Sequence, residues 1–277
     1  MKLRFWGVRG SFATPGSSYL RYGGNTTAIE VRADSGHRVL IDLGTGVTEL
    51  AKELMGAEFG QGKGTLPILL THTHVDHIQG LPFFTPFFIR GNAISIMGAE
   101  PAKVPLQAIL QDQLNGHYSP LYGLENLAAG MEVTTVVPGS SLPVEGFEVK
   151  CTLVPHGSMA VVAYNISVDG KSVCIMTDVE HPAEGISAEA ALLAKDCDLL
   201  VHDAMFTDSE YNLRSGWGHS SVSSAIQVAQ KVGAQKLALF HHSPDASDKH
   251  IDEIVGKASS ESDVPLFAAQ EGHDLTI

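Results

Sequence analysis

Five apolar runs in this chain each end directly on an ionisable residue. Val39-Leu40-Ile41 leads to Asp42, Ile68-Leu69-Leu70-Thr71 to His72, and Cys174-Ile175-Met176-Thr177 to Asp178. Leu199-Leu200-Val201 leads to His202, and Leu237-Ala238-Leu239-Phe240 to His241. Such runs read as strands. In layered α/β folds, sites gather at the C-terminal ends of strands, where loops meet. Strands simply stop where polar residues begin, and that explains two or three of the five ends. It does not explain the bias towards His and Asp, which predicts one shared site.

The richest of these ends is His72-Thr73-His74-Val75-Asp76-His77, four metal-capable side chains in six residues. Imidazoles and a carboxylate delivered into a turn suit a borderline divalent ion such as zinc. The competing reading is a polar surface loop, but surface loops rarely cluster three histidines without a use for them.

A chain of 277 residues with 44% apolar content supports a sizeable core, read here as one domain spanning residues 1–277. The net charge of -13 argues against a non-specific nucleic-acid binder and leaves no expectation of DNA as a partner. It does not exclude phosphate chemistry, because bound metal ions supply local positive charge. Cys151, Cys174 and Cys197 are odd in number, fit no Cys-x-x-Cys pattern and lie in or near apolar runs. Buried free thiols in a reducing compartment follow. No signal-peptide pattern opens the chain and no run approaches a membrane span, so the expectation is a cytoplasmic protein without a membrane partner.

Alternation and turn signals predict strands at Lys2–Phe5, Ala28–Arg32, Arg38–Ile41, Ile68–Thr71, Ala93–Met97, Val133–Val137, Glu148–Val154, Ala160–Val168, Ser172–Thr177, Leu199–Val201 and Leu237–Phe240. Asp169-Gly170 signals a hairpin. Helices are predicted at Val47–Met55, Pro101–Leu114, Ala188–Lys195, Ser221–Val232 and Lys249–Ser259. In the fourth, Val222, Ala225, Ile226, Ala229 and Val232 form one apolar stripe. Helices and strands interleave, so the class is α/β.

The His-x-His-x-Asp-His motif, followed by Val154-Pro155-His156-Gly157, Met176-Thr177-Asp178 and His241-His242-Ser243-Pro244, resembles the metallo-β-lactamase superfamily over essentially the whole chain. The likeness is greatest to its phosphodiesterase branch, which includes ribonuclease Z and cyclic-phosphate phosphodiesterases. The resemblance implies a four-layered αβ/βα sandwich with a two-metal site along one edge. His72, His74 and His156 would hold the first ion, and Asp76, His77 and His241 the second. Asp178 would bridge them together with a hydroxide. Zinc suits this imidazole-rich set, with manganese or iron as alternatives. His242 adjoins His241, and spacing alone allows either; the strand end and the motif favour His241. Asp42 is either a residue that orients a ligand histidine or a turn cap.

Leu200-Val201-His202-Asp203-Ala204 and Gly218-His219-Ser220-Ser221 resemble two ribonuclease Z segments that supply a proton donor and its acidic partner. The resemblance makes His219, Asp203 and Asp76 the catalytic group, with Asp203 standing where that branch has Glu. The reaction it implies is hydrolysis of a phosphodiester, with His219 protonating the leaving oxygen. The alternative for His219 is a polar residue at a helix entry. Between His77 and His156 lie an aromatic run, Phe83 to Phe88, and Asn115-Gly116-His117-Tyr118. The run reads as core or subunit contact, or else as a pocket wall. His117, Tyr118 and Asn25 are candidate substrate contacts, as are Arg9 and Arg21. His37, His250 and His273 read as surface residues, and His181, just after Asp178-Val179-Glu180, as an exposed loop residue or else a support behind the ligands.

No Gly/Lys-rich insertion resembling the transfer-RNA arm of ribonuclease Z is present. A small phosphodiester, a nucleotide such as a cyclic one or another diester, is therefore expected over RNA. The alternatives are a transfer-RNA 3′-end endoribonuclease, a lactonase, thioesterase or β-lactamase, and a non-enzymatic binding subunit. A homo-oligomer is expected if the aromatic run is exposed.

Overall fold

The computed structural model describes residues 1–100 and 104–277. In chain order its strands are β1 (Lys2–Gly7), β2 (Ala28–Arg32), β3 (Arg38–Ile41), β4 (Thr65–Leu69), β5 (Ala93–Gly98), β6 (Gly130–Thr135), β7 (Ser141–Leu142), β8 (Glu148–His156), β9 (Met159–Val168), β10 (Lys171–Met176), β11 (Leu199–Asp203), β12 (Leu237–Phe240), β13 (Leu266–Ala268) and β14 (Asp274–Thr276). They form two seven-stranded sheets, ordered β14-β1-β2-β3-β4-β5-β6 and β13-β12-β11-β10-β9-β8-β7. The helices are α1 (Val47–Met55), α2 (Val75–Ile78), α3 (Leu106–Gln113), α4 (Ala188–Ala194), α5 (Asp208–Arg214), α6 (Val222–Val232) and α7 (Asp248–Glu261).

Strand periodicity builds the layers. Successive side chains point to opposite faces, so a continuous apolar strand needs cover on both. In β3, Val39 and Ile41 enter the core between the sheets, while Leu40 packs outward with Val47, Leu50 and Leu54 of α1. In β12, Ala238 and Phe240 face the central core, and Leu237 and Leu239 face α6. The α6 stripe of Val222, Ala225, Ile226, Ala229 and Val232 is buried there, as expected. The result is helices, sheet, sheet, helices: the four-layered αβ/βα sandwich. Cys151, Cys174 and Cys197 are buried and unbridged.

Several boundaries differ from expectation. β4 begins at Thr65 and stops at Leu69 because its parallel register with β5 runs from Thr65↔Ala93 to Leu69↔Met97. β6 begins at Gly130, three residues before Val133, where it meets Ala93 of β5. The helix expected over Pro101–Leu114 begins at Leu106, after an extended Pro105; residues 101–103 of that expectation lie outside the described residues. Proline disfavours helix at the residue before it, which accounts for the later start. α2, α5, β7, β13 and β14 were not expected. All are short, and β13 and β14 are ordered by pairing with distant strands. The Asp169-Gly170 hairpin is present, with both residues at positive φ.

Parallel pairing places strand exits side by side. Ile41 pairs with Leu69, Met176 with His202, and Asp203 with Phe240. Asp42, His72, Asp178, Asp203 and His241 therefore leave the two sheets along one edge. Among the described residues, no helix is long and apolar enough to cross a membrane.

Candidate metal centre

Three of these exits share a rare backbone state. Asp42, Asp178 and His241 have φ of 63°, 55° and 60°. Non-glycine residues adopt this left-handed state at a cost of about 1–3 kcal/mol each, and it clusters at functional sites. Here it turns each side chain back across the sheet edge instead of letting it continue the pleat.

Two groups of side chains converge. His72, His74 and His156 each offer a ligand atom within 4.8 Å of the others, and so do Asp76, His77, Asp178 and His241. His156 Nε2 lies 3.3 Å from His74 Nδ1. Asp178 joins the groups: its carboxylate is 3.2 Å from His77 Nε2, 3.3 Å from His241 Nε2 and 3.9 Å from His72 Nε2. Asp76 Oδ2 lies 3.4 Å from His77 Nε2 and 3.3 Å from His241 Nε2.

Nε2 of His72, His77 and His241 are all buried without a hydrogen-bond partner. Buried polar atoms are normally satisfied, so three orphaned nitrogens aimed at two carboxylates fit a site built for cations. Burial and the neighbouring His77 depress the His72 pKa well below its usual value, leaving a neutral imidazole. Burial opposes ionisation of Asp178, yet His241 and His77 hold its carboxyl well below the usual range.

Surrounding groups set the tautomers. His77 Nδ1–H donates to Asp42 Oδ2 at 2.8 Å, and the Thr71 hydroxyl donates to the same carboxylate. Asp42 thus orients His77, the first of the two roles open to it. His156 Nδ1–H donates to the Gly218 carbonyl at 2.6 Å. Both leave Nε2 facing the centre. Ser11 N–H donates to Asp76 Oδ2 at 2.8 Å. Two glycines are required by close approach: a Cβ on Gly10 would meet His241 at 2.4 Å, and one on Gly218 would meet His156 Nδ1 at 2.3 Å.

His219 lies at the rim, stacked on His241 with ring centroids 5.0 Å apart and edge-on to His156 at 5.1 Å. Its Nδ1–H donates to Asp203 Oδ2 at 2.7 Å. Burial alone would lower its pKa, but the charge and hydrogen bond of Asp203, with Asp178 and Asp76 behind, push it up to about 9. Asp203, Asp178, His219 and His241 also lie close enough to suggest a third cation group. Asp203 is nevertheless committed elsewhere. Besides His219 it accepts from the N–H groups of Asp178, Met205 and Ser220 at 3.0–3.1 Å, so it reads as an anchor for His219.

Some expectations need correction. At the fourth strand end, Asp203 and not His202 faces the centre. His202 donates from Nδ1 to the Asp203 carbonyl and accepts at Nε2 from His181 at 3.0 Å. His181 is therefore half-buried against His202; burial and His202 drive its pKa down to about 3. His242 donates to the Ala269 carbonyl at 2.9 Å, away from the cluster that His241 joins. Arg9 is fully buried and donates to the carbonyls of Gly23, Ser243 and Ala246, which leaves it no phosphate to contact. Arg21 pairs with Asp252. In the aromatic run Phe84 and Phe87 are core and Phe83 is exposed. His117 and Tyr118 lie on an exposed turn closed by Asn115 and bond to no residue of the centre.

Asn25 donates its backbone N–H and its amide to Glu271, at 2.6 and 2.9 Å. Burial raises the Glu271 pKa to about 7, although both Asn25 bonds favour the charged form. The folded state therefore holds this proton more tightly than the unfolded chain does. Stability should fall between about pH 4.5 and pH 7 by about 3 kcal/mol and then level off. Urea unfolding across that range checks this, and Glu271→Gln should flatten the slope.

Sequence reasoning missed Glu180, two residues beyond Asp178. It accepts from Tyr211 Oη, Ser215 Oγ and the Gly216 and Gly218 N–H groups, at 2.7–3.4 Å. It thereby pins the loop whose Gly218 carbonyl orients His156 and whose next residue is His219. Only its spacing from Asp178 was visible in sequence. Glu180→Ala should weaken metal affinity and turnover by about 10–100-fold, the usual penalty for losing a group that orients a ligand. Glu180→Gln, which keeps one acceptor oxygen, should lose less; competition titration with a chromogenic chelator checks both.

Residues 37–242 match the family model described as a beta-lactamase superfamily domain. Ribonuclease Z of Exiguobacterium sibiricum is 28% identical, over 67% of this chain and 72% of that protein. Ribonuclease Z of Myxococcus xanthus is 25% identical, over 91% and 92%. Among solved structures, the metallo-beta-lactamase fold protein YhfI of Bacillus subtilis aligns with a TM-score of 0.71 at 17% identity, over 99% and 98% of the two chains. The short form of human tRNase Z aligns at 0.70 and 20% identity, over 100% and 99%. The chain thus belongs to the beta-lactamase superfamily, in its ribonuclease Z-like branch, and is a metal-dependent hydrolase.

Proposed function

We propose that this protein hydrolyses a small phosphodiester, a cyclic or linear nucleotide, at two divalent ions, with zinc the best match to the donor set. His72, His74 and His156 would hold one ion, Asp76, His77 and His241 the other, and Asp178 both. When bound, the pair supplies Lewis acidity and lowers the pKa of water towards neutrality.

The chain's own residues supply the rest. Asp42 and Gly218 fix the imidazoles of His77 and His156 so that neither rotates when substrate enters. His219, protonated through its contact with Asp203, stands at the rim with Nε2 free to give a proton to the leaving alkoxide. The His219–Asp203 pair carries this reading. An alkoxide is a poor leaving group and needs an acid, and His219 on Asp203 supplies one at the rim of the centre.

Processing of transfer RNA is the second reading, favoured by the names of the curated relatives. Against it, the interval from Asp178 to His241 is taken up by α4, β11, α5 and α6 with short connections, and includes no projecting arm. The test is a screen of the metal-reconstituted protein with dinucleoside monophosphates, cyclic nucleotides, a precursor transfer RNA, a lactone and a cephalosporin. Turnover of the small diesters is expected. Turnover of precursor RNA alone would favour the second reading, and activity confined to the last two substrates would overturn both.

A further inference from the structure

We propose that Trp217 is a stacking platform for the base of a nucleoside leaving group, with Arg214 fixed beside it as an anion contact. The proposal rests on the diesterase reading and narrows its substrate to diesters that release a nucleoside.

Trp217 is 66% exposed, an unfavourable place for a large apolar ring. Its backbone is nonetheless held on both sides. Gly216 and Gly218 stand at φ of 90° and 93°, and both donate N–H groups to Glu180. The Trp217 N–H closes the turn on the Arg214 carbonyl at 3.1 Å. A mobile loop would let the indole fold down onto the surface; this pinned one presents it outward.

The Arg214 guanidinium lies 6.0 Å from the Trp217 ring centroid and 5.3 Å from that of Phe206, distances at which cation–π attraction operates. Phe206 in turn meets His219 edge-on at 5.9 Å. The indole, the guanidinium and the proton donor are thus one contiguous group. Arg214 forms no ion pair among the described residues, in a chain of net charge -13. Trp217 precedes His219 by two residues, and the Arg214 and Phe206 contacts link its ring to the residue that gives the leaving oxygen its proton. A flat apolar face beside an unneutralised cation fits a nucleobase carrying a sugar-phosphate.

The test uses the metal-loaded full chain and two substrates with leaving groups of similar basicity, a dinucleoside monophosphate and the methyl ester of the same nucleotide. The readout is the ratio of their kcat/KM values. Trp217→Ala should lower that ratio about tenfold, as expected for loss of one base–aromatic stack, and Trp217→Phe should retain most of it. The only other tryptophan, Trp6, is buried and donates to Glu30. Adenosine should therefore quench the indole emission of the wild type and leave that of Trp217→Phe unchanged. An unchanged ratio in Trp217→Ala overturns the proposal, and if both rates fall equally Trp217 is a mere support for the loop. If the wild type cleaves no diester, the diesterase reading falls instead, and the quenching experiment still decides whether a nucleoside stacks on Trp217.

Discussion

Asp178→Ala should abolish metal binding at one site at least and lower turnover by well over about 100-fold, more than the usual penalty for losing a group that merely orients a ligand. Among the described residues, Asp178 is the single carboxylate paired with His72, His77 and His241 together. Removing it leaves buried imidazole nitrogens facing one another, with Asp76 the remaining carboxylate at the Nε2 atoms of His77 and His241. Bound metal, measured by elemental analysis, should fall from about two ions per chain to one or fewer. Asp178→Asn should behave almost as badly, because it keeps the shape and loses the charge. Stripping the wild type with a chelator should lower its Tm on the order of 10 °C, the equivalent of about 4 kcal/mol of binding linkage. The Asp178→Ala melting curve should respond far less to the same treatment. Full metal content in that variant would sink the assignment of Asp178 as the shared ligand.

His219→Ala should cost about 10²–10⁴-fold in kcat for diesters with an alkyl leaving group, the usual worth of a placed general acid. For a p-nitrophenyl leaving group, which departs without a proton, the loss should be less than about tenfold. This contrast separates an acid from a packing residue, because His219 also stacks on His241 and touches His156. Equal losses for both leaving groups would mean that its removal simply disturbs the ligands. Asp203 is a poorer probe: its carboxylate holds three backbone N–H groups, so any replacement disturbs the Asp178 and Ser220 backbone as well.

Much of the site was legible because local sequence carries it. His72, His74, Asp76 and His77 sit within one strand exit and the short turn that follows, so their proximity needs no tertiary information. Asp42 and Asp178 were marked by the apolar runs before them. What failed were inferences about direction. His202 and Asp203 are adjacent in β11, and a strand sends adjacent side chains to opposite faces. Which one meets the centre depends on the register of β11 between β10 and β12, which no local pattern encodes. Arg9 and Asn25 were misplaced for a related reason. Both stand in glycine-rich loops, as phosphate contacts often do, but their partners Ala246 and Glu271 are more than two hundred residues away. Glu180 was invisible because its partners lie more than thirty residues away and half of them are backbone N–H groups, which have no sequence signature.

By itself, then, the sequence determined the α/β class and the strand ends where His and Asp would gather, while the layered sandwich came from the family resemblance. The class and the strand ends follow from periodicity and covalent neighbourhood. The tertiary structure alone decided which side chains face inward at that edge. It turns Asp42, Asp178 and His241 through left-handed backbone conformations, sends His242 to the Ala269 carbonyl, and uses Glu180 to lock the loop bearing Trp217 and His219. Such conformations are locally unfavourable, and they persist because contacts from distant parts of the chain outweigh that cost.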